Sequence, residues 1–198
     1  MKKKSIEFTP IQIEALENGA TMFVVPICIP DGMKLDFIDY DIDDYCGWFI
    51  DKRDNSTAQV KFPIDKGDKD IYVKEEFLEV TYPSGKVYSI IYKGDNNEHF
   101  KDEIYQSASK MTKEQSRYSL SECIDVRVVR VRDITAKESW RIVGDIIPKE
   151  FLFNNGLMFY KYYNTQLEEQ NINRTYDDND YIFLIEVKTN VPCGTIGE

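Results

Sequence analysis

With 198 residues, 42% apolar content and 13% aromatics, the chain is long enough for one ordinary domain with a real core. No apolar run approaches the roughly 18 residues that a spanning helix needs, so no membrane segment is expected. A formal charge of -10 excludes a protein that coats nucleic acid by bulk attraction, because that binding needs Lys and Arg to displace counterions.

The charge is regional. Residues 31 to 54 carry a net -5 and residues 168 to 180 a net -4, whereas residues 110 to 132 carry a net +3. One face of an acidic molecule is therefore expected to be basic, either as a solvated strand face or as a binding face. The amino terminus is basic, and no apolar stretch follows it, which predicts no secretory leader and a cytoplasmic protein. Cys28, Cys46, Cys123 and Cys193 are far apart and His99 is the one histidine. Free thiols in a reducing compartment and no metal site are the expectation. A phosphate-cradling glycine loop and a dinucleotide fingerprint are both missing, so no cofactor is expected.

In chain order, Thr9 reads as a helix N-cap, Pro10 as the first helical residue and Asn18-Gly19 as the stop. Met22 to Ile27 reads as a buried strand. Residues 30 to 45 read as an acidic loop or an edge strand. Asp36, Asp39, Asp41, Asp43 and Asp44 have the alternation of a hard-cation loop, but lack the glycine and the final glutamate of an EF-hand. A solvated loop is expected there; such a loop also has the charge to occupy a basic protein partner. Trp48 to Ile50 and Gln59 to Phe62 flank a turn and predict a hairpin. Asp70 to Val73 begins another strand. Phe77 to Tyr82 and Lys86 to Tyr92, around Pro83-Ser84-Gly85, predict a second hairpin. Residues 94 to 117 are polar and irregular, with one helical turn near Lys101 to Tyr105.

From Tyr118 the apolar positions fall first on even and then on odd numbers, which predicts a strand with a bulge near Val128. Thr135 and Glu138 form a capping box, and Gly144 ends that short helix. A longer helix is predicted from Leu157 to Gln170 and a last strand from Tyr181 to Val187. The expected class is α+β, with a mostly antiparallel sheet curved into a closed or nearly closed small barrel. No repeat or linker interrupts the chain, so residues 1–198 read as one domain with an acidic insertion at about 30–66.

Four local words then stand in a familiar order. Gly67-Asp68 is followed by Val73-Lys74-Glu75-Glu76-Phe77. Met111 precedes Ser116-Arg117. Asp125-Val126-Arg127-Val128 runs into Asp133-Ile134-Thr135, with Glu138 and Gly144. Asn179-Asp180-Tyr181-Ile182-Phe183 comes last. Together they resemble the ASCH domains of the PUA-like superfamily, in particular the bacteriophage and prophage group. The likeness covers about residues 67 to 187. It implies a PUA-like small barrel with flanking helices and recognition of RNA or a modified nucleobase. Relatives with amidohydrolase or ribonuclease activity use a lysine in an early Gly-x-Lys word, with a Thr and a Glu. Here that word is Gly19-Ala20-Thr21, and a threonine cannot replace a desolvated amine.

The leading expectation is therefore a noncatalytic module for an RNA element or nucleotide, with Arg117 as a guanidinium at the mouth of the barrel. Ser116, Lys74, Glu75, Thr21 and Arg127 complete the candidate ligand-binding set. The plain alternative for Arg117 is an ion pair with Glu75. Tyr72, Phe77, Tyr105 and Tyr118 either stack a base or pack the core. An amidohydrolase or nuclease using Glu75 with Lys74 remains a second reading. A structural or anti-defence protein that binds another protein through its acidic segments is a third.

Overall fold

A computed structural model describes residues 4–27, 35–41, 46–95, 98–100, 102–144, 155–172, 177 and 180–189. Its strands are β1 (Ser5–Glu7), β2 (Met22–Pro26), β3 (Leu35–Asp41), β4 (Cys46–Asp51), β5 (Thr57–Lys61), β6 (Lys69–Lys74), β7 (Phe77–Thr81), β8 (Val87–Tyr92), β9 (Ser119–Arg130) and β10 (Tyr181–Thr189). Its helices are α1 (Pro10–Glu17), α2 (Ala136–Val143) and α3 (Asn155–Glu169).

The central sheet has the order β1-β6-β9-β10-β2. Only β1 with β6 is parallel; the other pairings in it are antiparallel. Strand β10 opens with the apolar run from Tyr181 to Ile185, all of it buried. A strand reads this way when both its faces are covered. On one face Tyr181 meets Phe49 at 5.5 Å and Phe183 meets Phe62 at 5.4 Å between ring centroids. These contacts lay the separate sheet β3-β4-β5 over the central one. Gly47 permits that approach, because a Cβ there would stand 3.3 Å from a Val128 methyl. Ile182 and Leu184, on the other face, are equally buried.

The helix signals act as expected. Thr9 N–H donates to Gln12 Oε1 (2.9 Å), and Thr135 with Glu138 closes the second capping box. The buried Gln12 and Gln166 amides both donate to the outward-facing Val24 carbonyl, at 3.0 and 2.7 Å, and so tie α1 and α3 to β2.

The class is α+β with mostly antiparallel sheets, but the barrel is corrected: among the described residues no sheet closes. The central sheet ends at β1 and β2, and β3-β4-β5 and β7-β8 form sheets of their own. The acidic stretch accordingly holds an edge strand, β3. The bulge also moves. Opposite β10, β9 carries extra residues at Ser121 and Ile124, not near Val128. Val129 faces away from Val128 and is itself half-buried, because β9 is covered on both sides. This two-sided burial had the look of a phase switch. The expected helical turn near 101–105 is absent at the described positions, and short 3-10 turns stand at Glu98–Phe100 and Ala108–Lys110 instead.

Cys46 and Cys123 are buried free thiols; Cys28 and Cys193 lie outside the described residues. Burial pushes the Cys123 thiol up to about 12. Cys123 is therefore expected to resist iodoacetamide in the native protein at about pH 8, where an exposed thiol reacts readily. Peptide mass spectrometry before and after urea checks this. Native labelling at the rate of an unfolded control would contradict the burial.

Candidate functional site

The site forms where β6 ends and β9 begins. Val73 N–H donates to the Tyr118 carbonyl (3.0 Å), and the Ser116 hydroxyl donates to the Val73 carbonyl (2.6 Å). These bonds fasten the Ser116–Tyr118 segment to the end of β6. They bring Arg117 against Glu75, which is 2% exposed. Arg117 Nε and Nη2 donate to the two Glu75 oxygens, each at 2.9 Å, in a bidentate pair. Nη1 donates to Asp95.

The guanidinium lies over the rings of Tyr92 (4.4 Å) and Tyr118 (4.9 Å), favourable cation–π distances. The Tyr118 hydroxyl donates to Glu17 of α1. A 3-10 turn, Lys93–Asp95, closes over the pair. A Cβ on Gly94 would stand 3.3 Å from Arg117 Nη2, 3.3 Å from Ile13 and 3.4 Å from a Glu75 oxygen. Lys93 holds the turn down through its N–H to the Glu76 carbonyl (3.0 Å) and its ammonium to the Glu76 carboxylate.

Burial raises the Glu75 carboxyl above its ordinary value, and the Arg117 bonds pull it part of the way back. Burial also works against the Arg117 charge, but Glu75 and then Asp95 outweigh it and hold that charge firmly. Burial, with the bond to Glu17, pushes the Tyr118 phenol up.

Of the expected set, the structure gathers Arg117, Ser116 and Glu75. It does not bring in the others. Lys74 Nζ turns the opposite way, to the Ser109 carbonyl (3.2 Å) and over the Tyr72 ring. Thr21 Oγ1 accepts from Arg141 Nε (3.1 Å). Arg127 pairs with Glu138 of the capping box. Phe77 is core, and Tyr118 stacks on Arg117 instead of awaiting a base.

The expected free guanidinium is thus corrected, since each of its nitrogens already meets a carboxylate. The basic strand is also neutralised. Arg130 bonds Asp36 (2.7 Å) and the Tyr181 hydroxyl, and Arg127 bonds Glu138; on α2, outside that strand, Arg141 bonds Glu186 (2.6 Å). Carboxylates from the acidic segment and from α2 supply this compensation to the strand, and regional charge counts do not reveal it. A lysine–glutamate acid–base pair does not form, because both Glu75 oxygens are committed and Lys74 points elsewhere. Asp95 and Tyr92 were missed in the sequence; the only local signal was Gly94-Asp95 directly after a strand.

Asp36 is engaged with Arg130 and Lys52, and Asp43 and Asp44 lie outside the described residues. Among the described residues no group of three or more His, Cys, Asp or Glu is placed to hold a metal ion. No helix among them is long and apolar enough to cross a membrane. In comparisons with known proteins, no family model, no curated protein and no solved structure matches this chain.

Proposed function

We propose that the chain is a noncatalytic binding module of the ASCH, PUA-like kind, and that it holds the phosphate of a nucleotide at Arg117. The observation that carries this reading is the unequal hold on the guanidinium. Nε and Nη2 are fixed by buried Glu75, whereas Nη1 is held by Asp95, whose side chain is 41% exposed. An incoming phosphate has only Asp95 to displace, and the inner pair keeps the guanidinium aimed while it does so. Commitment of both Glu75 oxygens to Arg117 supports a binding role over a catalytic one. The neutralised arginines of β9 favour a single nucleotide over an RNA tract, which needs several unpaired cations along its backbone.

Asp95→Asn removes the competing charge and leaves a side chain of the same shape. Titration calorimetry with AMP and with inorganic phosphate is expected to give at least about tenfold tighter binding to Asp95→Asn than to the parent protein, a difference of about 1.4 kcal/mol. Failure of both proteins to bind either probe at millimolar concentration would sink the reading.

A further inference from the structure

Strands β7 and β8 form a two-stranded sheet of their own. Among the described residues, the main core takes nothing from either strand. Buried Phe77 and two polar bonds hold the hairpin to the body. Gln115 Nε2 donates to Glu79 (2.7 Å), and the Tyr92 hydroxyl donates to the Gln115 carbonyl (2.7 Å). Leu78, Val80, Ile90 and Ile91 are half-buried, and Val87 is 38% exposed. A sheet of two strands is marginal in water, and further strands with apolar faces are what stabilise it.

The pairing fixes which way the backbone of β8 points. Phe77 N–H donates to the Gln106 carbonyl (3.2 Å) and Gln106 N–H to the Phe77 carbonyl (2.7 Å), so Phe77 turns its polar groups away from Tyr92, its opposite on β8. Tyr92 therefore turns its own N–H and carbonyl outward, and Ile90, two residues earlier, does the same. The pairs Leu78 with Ile91 and Val80 with Ser89 carry the bonds between the two strands. Among the described residues no strand lies along the outer side of β8.

Charge selects the occupant. The stretch Val87–Tyr92 holds no charged residue and no proline, so the usual guards of an exposed edge are missing. Paired with its own copy, it brings no like charges face to face. The other borders would do so: β1 has Glu7, β3 has Asp36, Asp39 and Asp41, β5 has Lys61 and β7 has Glu79. Strand β2 is uncharged too, but its Val24 carbonyl is taken by Gln12 and Gln166. For a chain of net charge -10 meeting itself, an uncharged border is the place of least repulsion. We infer that β8 pairs antiparallel with β8 of a second copy of this chain, Ile90 of each facing the other across a two-fold axis, to make one four-stranded sheet. The contact is isologous, so it closes at two copies. The far side of β7, bridged to Gln106 at Phe77, does not extend the sheet. Nothing in this pairing rests on the reading of Arg117.

Sedimentation velocity of the full chain in about 0.15 M NaCl, where long-range repulsion is screened, is expected to show a dimer at about 200 μM and mostly monomer at about 2 μM, as for a small, transient interface. Amide hydrogen exchange at both concentrations reads the register. The outward N–H groups of Ile90 and Tyr92 are expected to exchange about fivefold more slowly in the concentrated sample. Ser89→Lys, at an exposed position on β8, is expected to weaken dimerisation at least about tenfold, because it sets two ammonium groups beside the axis. Thr81→Lys, exposed on β7, adds the same charge away from that border and is expected to leave dimerisation within about twofold. Ile90→Pro removes an outward N–H without touching a bond to β7, and is expected to weaken dimerisation by at least about tenfold as well. General repulsion between acidic copies predicts the opposite sign, since either lysine lowers the net charge. A monomer at every concentration would overturn the inference and leave β8 to a strand of some other protein. A dimer in which Ile90 and Tyr92 exchange as before, or which the two lysine variants weaken equally, would overturn it too.

Discussion

Arg117→Met is expected to destabilise the fold by about 3–5 kcal/mol at pH 7, because it leaves Glu75 charged and alone in the interior. Methionine roughly keeps the volume and the contact with Tyr92 and Tyr118, so the loss reports the missing charge more than a cavity. The loss is expected to depend on pH in a definite direction. Glu75 already has a raised folded-state value, and removing its partner raises it further. The folded state then binds the proton more tightly than the unfolded state. Stability is retained below the unfolded value of about 4.3 and declines as pH rises through the folded one, by up to about 1.4 kcal/mol per pH unit.

Urea denaturation of Arg117→Met at pH 5 and at pH 7 is thus expected to show the smaller deficit at pH 5. A deficit equal at both would acquit Glu75 as its source. The double variant Arg117→Met, Glu75→Leu is expected to regain most of the lost stability, since an apolar pair of similar size often replaces a buried ion pair at no net cost. The same double variant separates stability from function: it folds, and it has no guanidinium left for a phosphate.

Gly144→Ala is expected to cost about 2–6 kcal/mol, the sum of backbone strain and overpacking. Gly144 follows α2 with φ 65° and ψ −155°, a region open in practice to glycine alone. A Cβ there would lie 2.7 Å from the Asn18 carbonyl oxygen, 3.1 Å from that of Ala15 and 3.1 Å from Ala20 N. All three are backbone atoms at the end of α1, so no side chain can rotate out of the way. Gly144→Asn is a useful companion. Asparagine tolerates the left-handed helical region that glycine usually supplies after a helix, but not this one. Equilibrium unfolding is therefore expected to place Asn no higher than Ala. Substantial rescue by Asn would show that the strain is of the ordinary helix-ending kind.

Much of this architecture is legible where the physics is local. Thr9-Pro10 and Thr135-x-x-Glu138 announce helix starts because their side chains satisfy N–H groups within the next turn. The run from Tyr181 to Ile185 announces a strand covered on both faces. Legibility fails where the deciding partner is remote. The residues of β9 suggested a bulge near Val128, yet the extra residues lie opposite β10 at Ser121 and Ile124, a matter of pairing between strands about 60 positions apart. Barrel closure was inferred from many short strands, but whether the edges meet depends on what else bonds to them.

The Arg117 site divides in the same way. Glu75 was named as its alternative partner because structural ion pairs are common in an acid-rich chain. Asp95 and the covering glycine went unseen, since nothing local to residues 93–95 says which cation lies beneath them. The excess of arginines in 110–132 is real in the sequence and almost cancelled in space, because their carboxylates come from residues 36, 75, 95 and 138.

Strand β2 bears on how this molecule keeps company with copies of itself. Among the described residues it ends the central sheet with no strand on its outer side, the kind of border on which a foreign strand would dock. Its Val24 carbonyl is already occupied by two glutamine amides, and two residues on, at the next outward position, Pro26 has no N–H to offer. A would-be neighbour finds neither acceptor nor donor there. Fibrillar growth along this border is thereby blocked, and any strand-mediated assembly has to recruit a different margin of the protein.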